Sequence, residues 1–193
     1  MSRLNYLVLV GMLAASALHG ASILVTPATQ NTTSGAQFVV DLQISGLGNG
    51  TAPSVGTFDL DLGFDPLLLS FVDATYGTGL DVLGLGSLQF TTPGTGTVNL
   101  FELSFDSASD LNTLQPASFM LATLTFEALA DGTSPLTINL NALGDADGAS
   151  LAATLTNGSV TIGAPSSAIP EPSTFTLAAL ALGGLAVQRF RRA

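Results

Sequence analysis

Apolar and polar residues alternate with a period of two through the middle of this chain, and two dense apolar blocks stand near its ends. Phe38, Val40, Leu42 and Ile44 alternate with Val39, Asp41 and Gln43. That is the pattern of a half-buried strand, because successive side chains of extended backbone point to opposite faces. Phe58, Leu60, Leu62 and Phe64 alternate with Thr57, Asp59, Asp61 and Gly63, which predicts a strand with one apolar and one acidic face, ended by Asp65-Pro66. Further strands are predicted at Leu67–Val72, Ser87–Thr92, Thr97–Phe105, Phe119–Leu129, Leu136–Leu140, Leu151–Leu155 and Ser159–Ile162. Gly, Pro, Asn and Asp clusters separate them, at residues 46–50, 93–96, 130–132, 144–148 and 157–158. Asn157-Gly158 predicts a two-residue hairpin, since this pair readily supplies the positive φ angles of a type I′ turn. No span between the ends keeps a helical period, and no repeat is visible. About nine short strands at this spacing imply an all-β sandwich or jelly roll, with Val40, Leu42, Leu60, Leu62, Leu124 and Phe126 in its core.

The apolar block Tyr6–Leu18 follows Arg3 and precedes small residues, which is the layout of a secretory signal peptide. Ala15-Ser16-Ala17 fits the cleavage site, and a cut as late as Ala21 is compatible with the same pattern. The block Phe175–Val187 is followed by Arg189, Arg191 and Arg192, so a helix there is a transmembrane segment whose arginines stay in the cytoplasm and whose preceding domain lies outside. As a helix, Ser173–Val187 is about 22 Å long, against about 30 Å of hydrocarbon, and spans only with thinning of the bilayer or snorkelling arginines. Between the sandwich and this segment, Ala164-Pro165-Ser166-Ser167-Ala168-Ile169 reads as an extended linker. The expected organisation is a signal peptide at 1–21, a sandwich at 22–162, a linker at 163–169, and a sorting signal with its transmembrane helix at 170–193.

Two resemblances follow from these residues. The order Pro170-Glu171-Pro172, short apolar helix, Arg189, Arg191 and Arg192 resembles the bacterial PEP-CTERM sorting signal. That resemblance implies recognition by an exosortase, a membrane-embedded processing enzyme, in bacteria that make extracellular polysaccharide. Within the middle, Gly35–Leu42, Phe58–Leu69, Phe119–Ala128 and the closing Asp145-Ala146-Asp147-Gly148 with Asn157–Val160 resemble, in order, the segments of a cohesin domain. The cohesin resemblance implies a nine-stranded jelly-roll sandwich akin to carbohydrate-binding modules, of a kind that binds dockerin modules or serves as a surface module. The matching residues are core and turn positions, so they bear on the fold more than on any partner.

Charge changes the picture sharply. Of the fourteen Asp and Glu in the chain, thirteen lie between Ala21 and Ile169, while all four basic residues lie outside that segment. So acidic a domain repels phosphate backbones, which excludes nucleic acid as a partner. Without Lys or Arg the domain forms no Lys or Arg salt bridge of its own, and its stability must come from apolar burial and backbone hydrogen bonds. There is no cysteine, hence no disulfide, thiolate metal site or cysteine nucleophile.

The same inventory argues against an enzyme. His19, the one histidine, lies in or beside the leader, so Ser-His and Cys-His machinery is missing, as is a lysine for Schiff-base chemistry. Asp59 and Asp61 could pair as two carboxylates, but they sit on the outer face of a strand with no basic residue or Trp to hold a sugar. The phenylalanines fall mostly on the apolar beat of strands and read as core, which leaves Thr- and Ser-rich loops as the available sugar contacts. Asp145-Ala146-Asp147-Gly148 could offer two carboxylates and a carbonyl to Ca²⁺, or form a solvated acidic turn, and it lacks the full EF-hand pattern. Asp106 and Asp110 make a second, looser acidic pair. The function expected is a non-catalytic surface or matrix protein of the exopolysaccharide layer, the alternative being a protein- or carbohydrate-recognition module. An exposed apolar patch would favour the alternative, and a uniform Thr/Ser/Asp surface the matrix role.

Overall fold

The structure, a computed structural model, describes residues 20–163. The expected leader as far as residue 19, the expected transmembrane segment and the sorting residues Pro170, Glu171, Pro172, Arg189, Arg191 and Arg192 lie outside the described residues. Eleven strands are described, with one short helix: β1 (Ala21–Thr26), β2 (Thr29–Thr33), β3 (Gln37–Ser45), β4 (Val55–Gly63), β5 (Leu69–Tyr76), β6 (Ser87–Gly94), β7 (Thr97–Ser104), α1 (Ala108–Leu114), β8 (Phe119–Ala128), β9 (Gly132–Asp145), β10 (Ala153–Thr156) and β11 (Gly158–Gly163). They form a sandwich of a five-stranded sheet, β10-β1-β3-β8-β5, and a six-stranded sheet, β2-β11-β9-β4-β7-β6.

The expected alternation sets the layers. In β3 and β4 every second residue is buried, and Val40, Leu42, Leu60, Leu62, Leu124 and Phe126 are all in the core. Phe126 is its hub: Phe38 stacks on it at 5.9 Å between centroids, while Phe64 and Phe71 meet it edge-on at 5.1 and 5.9 Å. Such offset and edge geometries suit the ring quadrupoles.

Eleven strands rather than about nine arise at the start of the domain. Ala21–Thr26 alternates, but it abuts the apolar leader and so hides in the sequence. Thr29–Thr33 is wholly polar and becomes a strand by pairing in parallel with β11, just as β1 pairs in parallel with β10. The first two and last two strands thus run side by side, crossing from one sheet to the other together. Ala21 is buried, at 4% exposure, so the domain begins one residue before the expected boundary. A cut after Ala17 leaves β1 whole, whereas a cut after Ala21 would remove its first residue.

Two further expectations are corrected. Asn157-Gly158 is no hairpin, because β10 and β11 belong to different sheets. Instead Asn157 Oδ1 accepts from the Ile138 N–H at 2.9 Å, and Gly158 lies where a Cβ would meet Val25 at 2.6 Å. A glycine is required there by close packing, not by a turn. The helix α1 was invisible to periodicity because seven residues bury only Leu111. It is set locally: Ser107 caps it, its Oγ accepting from the Asp110 N–H at 3.2 Å and donating to Asp110 Oδ2 at 2.6 Å.

The registers define two ends of the sandwich. Gly163 leaves beside Gly132 and near the β6–β7 hairpin, where Gly94 pairs with Thr97. At the opposite end stand Tyr76, Ser87, Ser104, Phe119 and Asp145, with α1 and the loop 77–86. The features described next lie on the outer face of the larger sheet and at this far end.

Candidate functional site

The outer face of β9, β4, β7 and β6 carries a polar network beside an apolar patch. Asp59 and Asp61, two residues apart on β4, both point outward, as alternation predicts. Asn99 on β7 bridges them, donating to Asp59 Oδ1 at 2.7 Å and Asp61 Oδ1 at 2.9 Å. Asn141 on β9 does the same from the other side, at 3.1 Å to Asp59 Oδ1 and 3.2 Å to Asp61 Oδ2. Two amides therefore hold two like charges in one row across three strands, with no cation among them. The arrangement offers a partner a fixed acidic ridge.

The patch beside this ridge is built by the β6–β7 hairpin. Leu88 faces Leu103 and Phe90 faces Phe101 in direct register, so all four side chains share one face. The Phe90 and Phe101 rings lie 6.0 Å apart. Phe90 is 55% exposed, and Leu88, Leu103 and nearby Phe105 are exposed as well. Residue 101 pairs with Asp59 and residue 103 with Thr57, so patch and ridge touch. The phenylalanines were expected mostly in the core. Phe38, Phe58 and Phe126 are there, but on β6 Leu88 and Phe90 face solvent, while Gln89, itself exposed at the sheet edge, reaches Glu102 with its amide.

Glu102 is the acid that Ser87 and Gln89 of β6 serve. It sits on the inner beat of β7 and is fully buried. Its Oε1 accepts from Ser87 Oγ at 2.6 Å and from Gln89 Nε2 at 3.0 Å, while its Oε2 is buried without a partner. Burial pushes its carboxyl above the usual carboxylate range, the Ser87 and Gln89 hydrogen bonds oppose the rise, and nearby Asp81 adds to it. The polar underside of β6 thus belongs to Glu102, and its apolar side is left outside. Tyr76 closes the edge, its hydroxyl donating to the Phe90 carbonyl at 2.5 Å; burial raises its pKa.

The carboxylates of Asp145, Asp106 and Asp110 are each engaged by neighbouring groups. Asp145 and Asp147 share one turn, but Asp145 Oδ1 accepts from the Asp147 and Ala149 N–H groups at 3.0 and 2.7 Å. Its carboxylate closes the turn, and no cluster of three or more His, Asp or Glu suited to a metal occurs among the described residues. Asp106 and Asp110 are not brought together as a site. Asp106 Oδ2 accepts from the Val82 N–H at 2.7 Å and ties down the loop 77–86, while Asp110 belongs to the α1 cap.

The tail matches an established sorting motif. Residues 168–192 fit the family described as PEP-CTERM protein-sorting motif, which contains Pro170, Glu171, Pro172 and the three arginines. The β-sandwich is cohesin-like in fold. It is similar to a non-cellulosomal cohesin of the archaeon Archaeoglobus fulgidus, at 20% identity and a TM-score of 0.57 over 75% of this chain and 92% of that one. The seventh ScaB type I cohesin of Pseudobacteroides cellulosolvens matches at 16% identity and 0.61, over 79% and 98%. A structure of a type I cohesin–dockerin complex from Clostridium thermocellum matches at 15% identity and 0.62, over 76% and 96%. No curated protein matches the chain. At these identities the likeness is one of fold.

The ridge acids were visible in the sequence, whereas Asn99, Asn141, Glu102 and the β6–β7 patch were not singled out. A usable signal existed: in a hairpin turning at Thr95-Gly96, positions 88 with 103 and 90 with 101 must face each other.

Proposed function

We propose that this chain is an exported, non-catalytic docking module that the PEP-CTERM tail delivers to the cell envelope. Its partner there is a protein that seats on the outer face of β6 and β7. The observation that carries the reading is the patch Leu88, Phe90, Phe101 and Leu103 lying against the Asp59–Asp61 ridge. Exposed apolar surface rimmed by fixed charge is how a protein-binding site differs from inert surface. Aromatic side chains are the usual anchors of such interfaces. The matching segment is an apolar stretch that also carries a Lys or Arg, since the face offers carboxylates and the domain contains no cation to satisfy them. Several of the cohesin-like structures are of dockerin complexes, which supports a protein partner over a sugar.

The tail supports processing by an exosortase, with the membrane segment as a transient anchor, and a working location at the surface or in the exopolysaccharide layer. No catalytic constellation accompanies the face: the paired acids are bridged by amides on an open sheet face rather than aimed into a cleft. The test is envelope fractionation of cells making the protein or its Phe90→Ser/Leu103→Ser variant. The variant is expected to be exported and processed normally but to shift from the partner-bound surface fraction to the medium. Retention equal to the unmodified protein would overturn the docking role of this face.

A further inference from the structure

The far end of the sandwich, opposite Gly163, contains a cavity of about 640 Å³ between the end of β5 and the start of β8. Val82, Leu114, Pro116, Phe119 and Met120 give it apolar walls, and Asp81 and Thr78 are its polar side chains. Its geometry is fixed from several sides. A Cβ at Gly79 would meet the Phe119 ring at 2.0 Å, so the ring lies directly on glycine backbone. Gln115 holds the same glycine, its Nε2 donating to the Gly79 carbonyl at 2.8 Å. Asp81 is positioned by the Gly86 N–H, which donates to its Oδ1 at 2.8 Å. A cavity formed in advance of binding spares its ligand the entropy of ordering it.

Charge selects the occupant. Residues 20–163 contain no Lys or Arg, so no such cation of its own domain can meet Asp81. An anion would be repelled by the acidic surroundings, and a purely apolar group would bury Asp81 against carbon. A basic side chain satisfies both parts, with its aliphatic stem on Leu114, Pro116 and Met120 and its charge on Asp81. Phe119 adds a ring face that a cation favours. The cavity lies at the end of the sandwich where β6 begins, and Gly86, bound by Asp81, directly precedes that strand. We propose that this cavity receives a lysine or arginine side chain of the partner protein, an inference that rests on the docking reading and adds a second anchor to it.

The test is an NMR titration of the isotopically labelled full-length chain in detergent micelles with Nα-acetyl-lysine N-methylamide. The norleucine counterpart, which keeps the stem and lacks the charge, is the control. The lysine compound is expected to move the amide resonances of Gly77, Thr78, Gly79, Asp81 and Val82 and to bind about three- to five-fold more tightly than norleucine. Asp81→Asn should equalise the two, since an asparagine Oδ1 still accepts from Gly86 and the loop keeps its shape. Phe90→Ser should leave the titration unchanged, so a failed docking face and a failed cavity give different results. The proposal is overturned if neither compound moves the cavity amides, or if norleucine binds as well as lysine. Selectivity that survives Asp81→Asn, or lysine shifts spread equally over Asp59, Asp61 and Asp145, would overturn it too.

Discussion

Gln115 is the residue whose replacement should reveal most about how the far end is held together. It follows α1 and is buried, yet every polar atom of its amide is used. Oε1 accepts from the Val55 N–H at 2.6 Å, and Nε2 donates to the Val55 carbonyl at 2.9 Å and the Gly79 carbonyl at 2.8 Å. One side chain therefore completes the first residue of β4 as a neighbouring strand would and pins the loop that walls the cavity. Gln115→Leu keeps the volume and strips all three bonds, leaving one N–H and two carbonyls buried without partners. Each orphaned group costs about 1–3 kcal/mol. Allowing for partial relaxation, the sum is about 3–5 kcal/mol, a large share of the 5–15 kcal/mol typical of a domain. Urea unfolding of the purified protein should show the midpoint falling at constant slope, and hydrogen exchange should accelerate at Val55. A loss below about 1 kcal/mol with unchanged exchange at Val55 would mean that the Gln115 bonds add little beyond the packing and do not hold the far end together.

Three further predictions concern charge and processing. Glu102 holds its proton more tightly folded than unfolded, so its contribution to stability is full below the ordinary Glu range and is lost as pH rises through the raised folded value. Glu102→Gln should accordingly raise the melting temperature at pH 8 relative to the unmodified protein and narrow the gap toward pH 4; parallel curves would contradict the burial argument. Asp145→Ala should destabilise by about 1–2 kcal/mol through the two N–H groups it releases, with or without calcium; a calcium-dependent rise in melting temperature that Asp147→Ala abolishes would instead make the turn a cation site. Mass spectrometry of surface-extracted protein should find the chain ending at or near Pro170–Pro172, and alanines in place of Pro170-Glu171-Pro172 should keep uncut protein in the membrane. Recovery of an intact terminus at Ala193 would reduce the tail to an anchor.

The sandwich was legible wherever burial and alternation coincide. β3 and β4 each bury one face against the other sheet, so their period of two is clean and the core residues could be named in advance. β2 was hidden because Thr29–Thr33 owes its conformation to β11, a partner 130 residues away, and a polar strand has no local signature. Asn157-Gly158 misled because the pair that suits a tight turn also suits a sheet crossing, where Asn157 supplies an acceptor and Gly158 the room. The apolar β6–β7 patch was obscured by one acid. Glu102 occupies an inner position that the pattern assigns to an apolar residue, and Ser87 and Gln89 of β6 hydrogen-bond to it, which leaves Leu88 and Phe90 on the outer face. Asp59 and Asp61 were read correctly as outward-facing, but the amides that bridge them come from β7 and β9, and only strand pairing brings those together.

Whether the β6–β7 face meets a protein partner at the cell surface is decided by site-specific photo-crosslinking in living cells that export the protein. A photoreactive residue is placed at Phe90 in one strain and at Val39 in another, because Val39 is equally exposed but lies on the outside of the opposite sheet. A discrete protein adduct is expected from position 90, lost when Asp59 and Asp61 are both changed to lysine, and none from position 39. The same adducts from both positions, or no protein adduct from position 90 in cells where the protein is exported and processed, would contradict docking at this face.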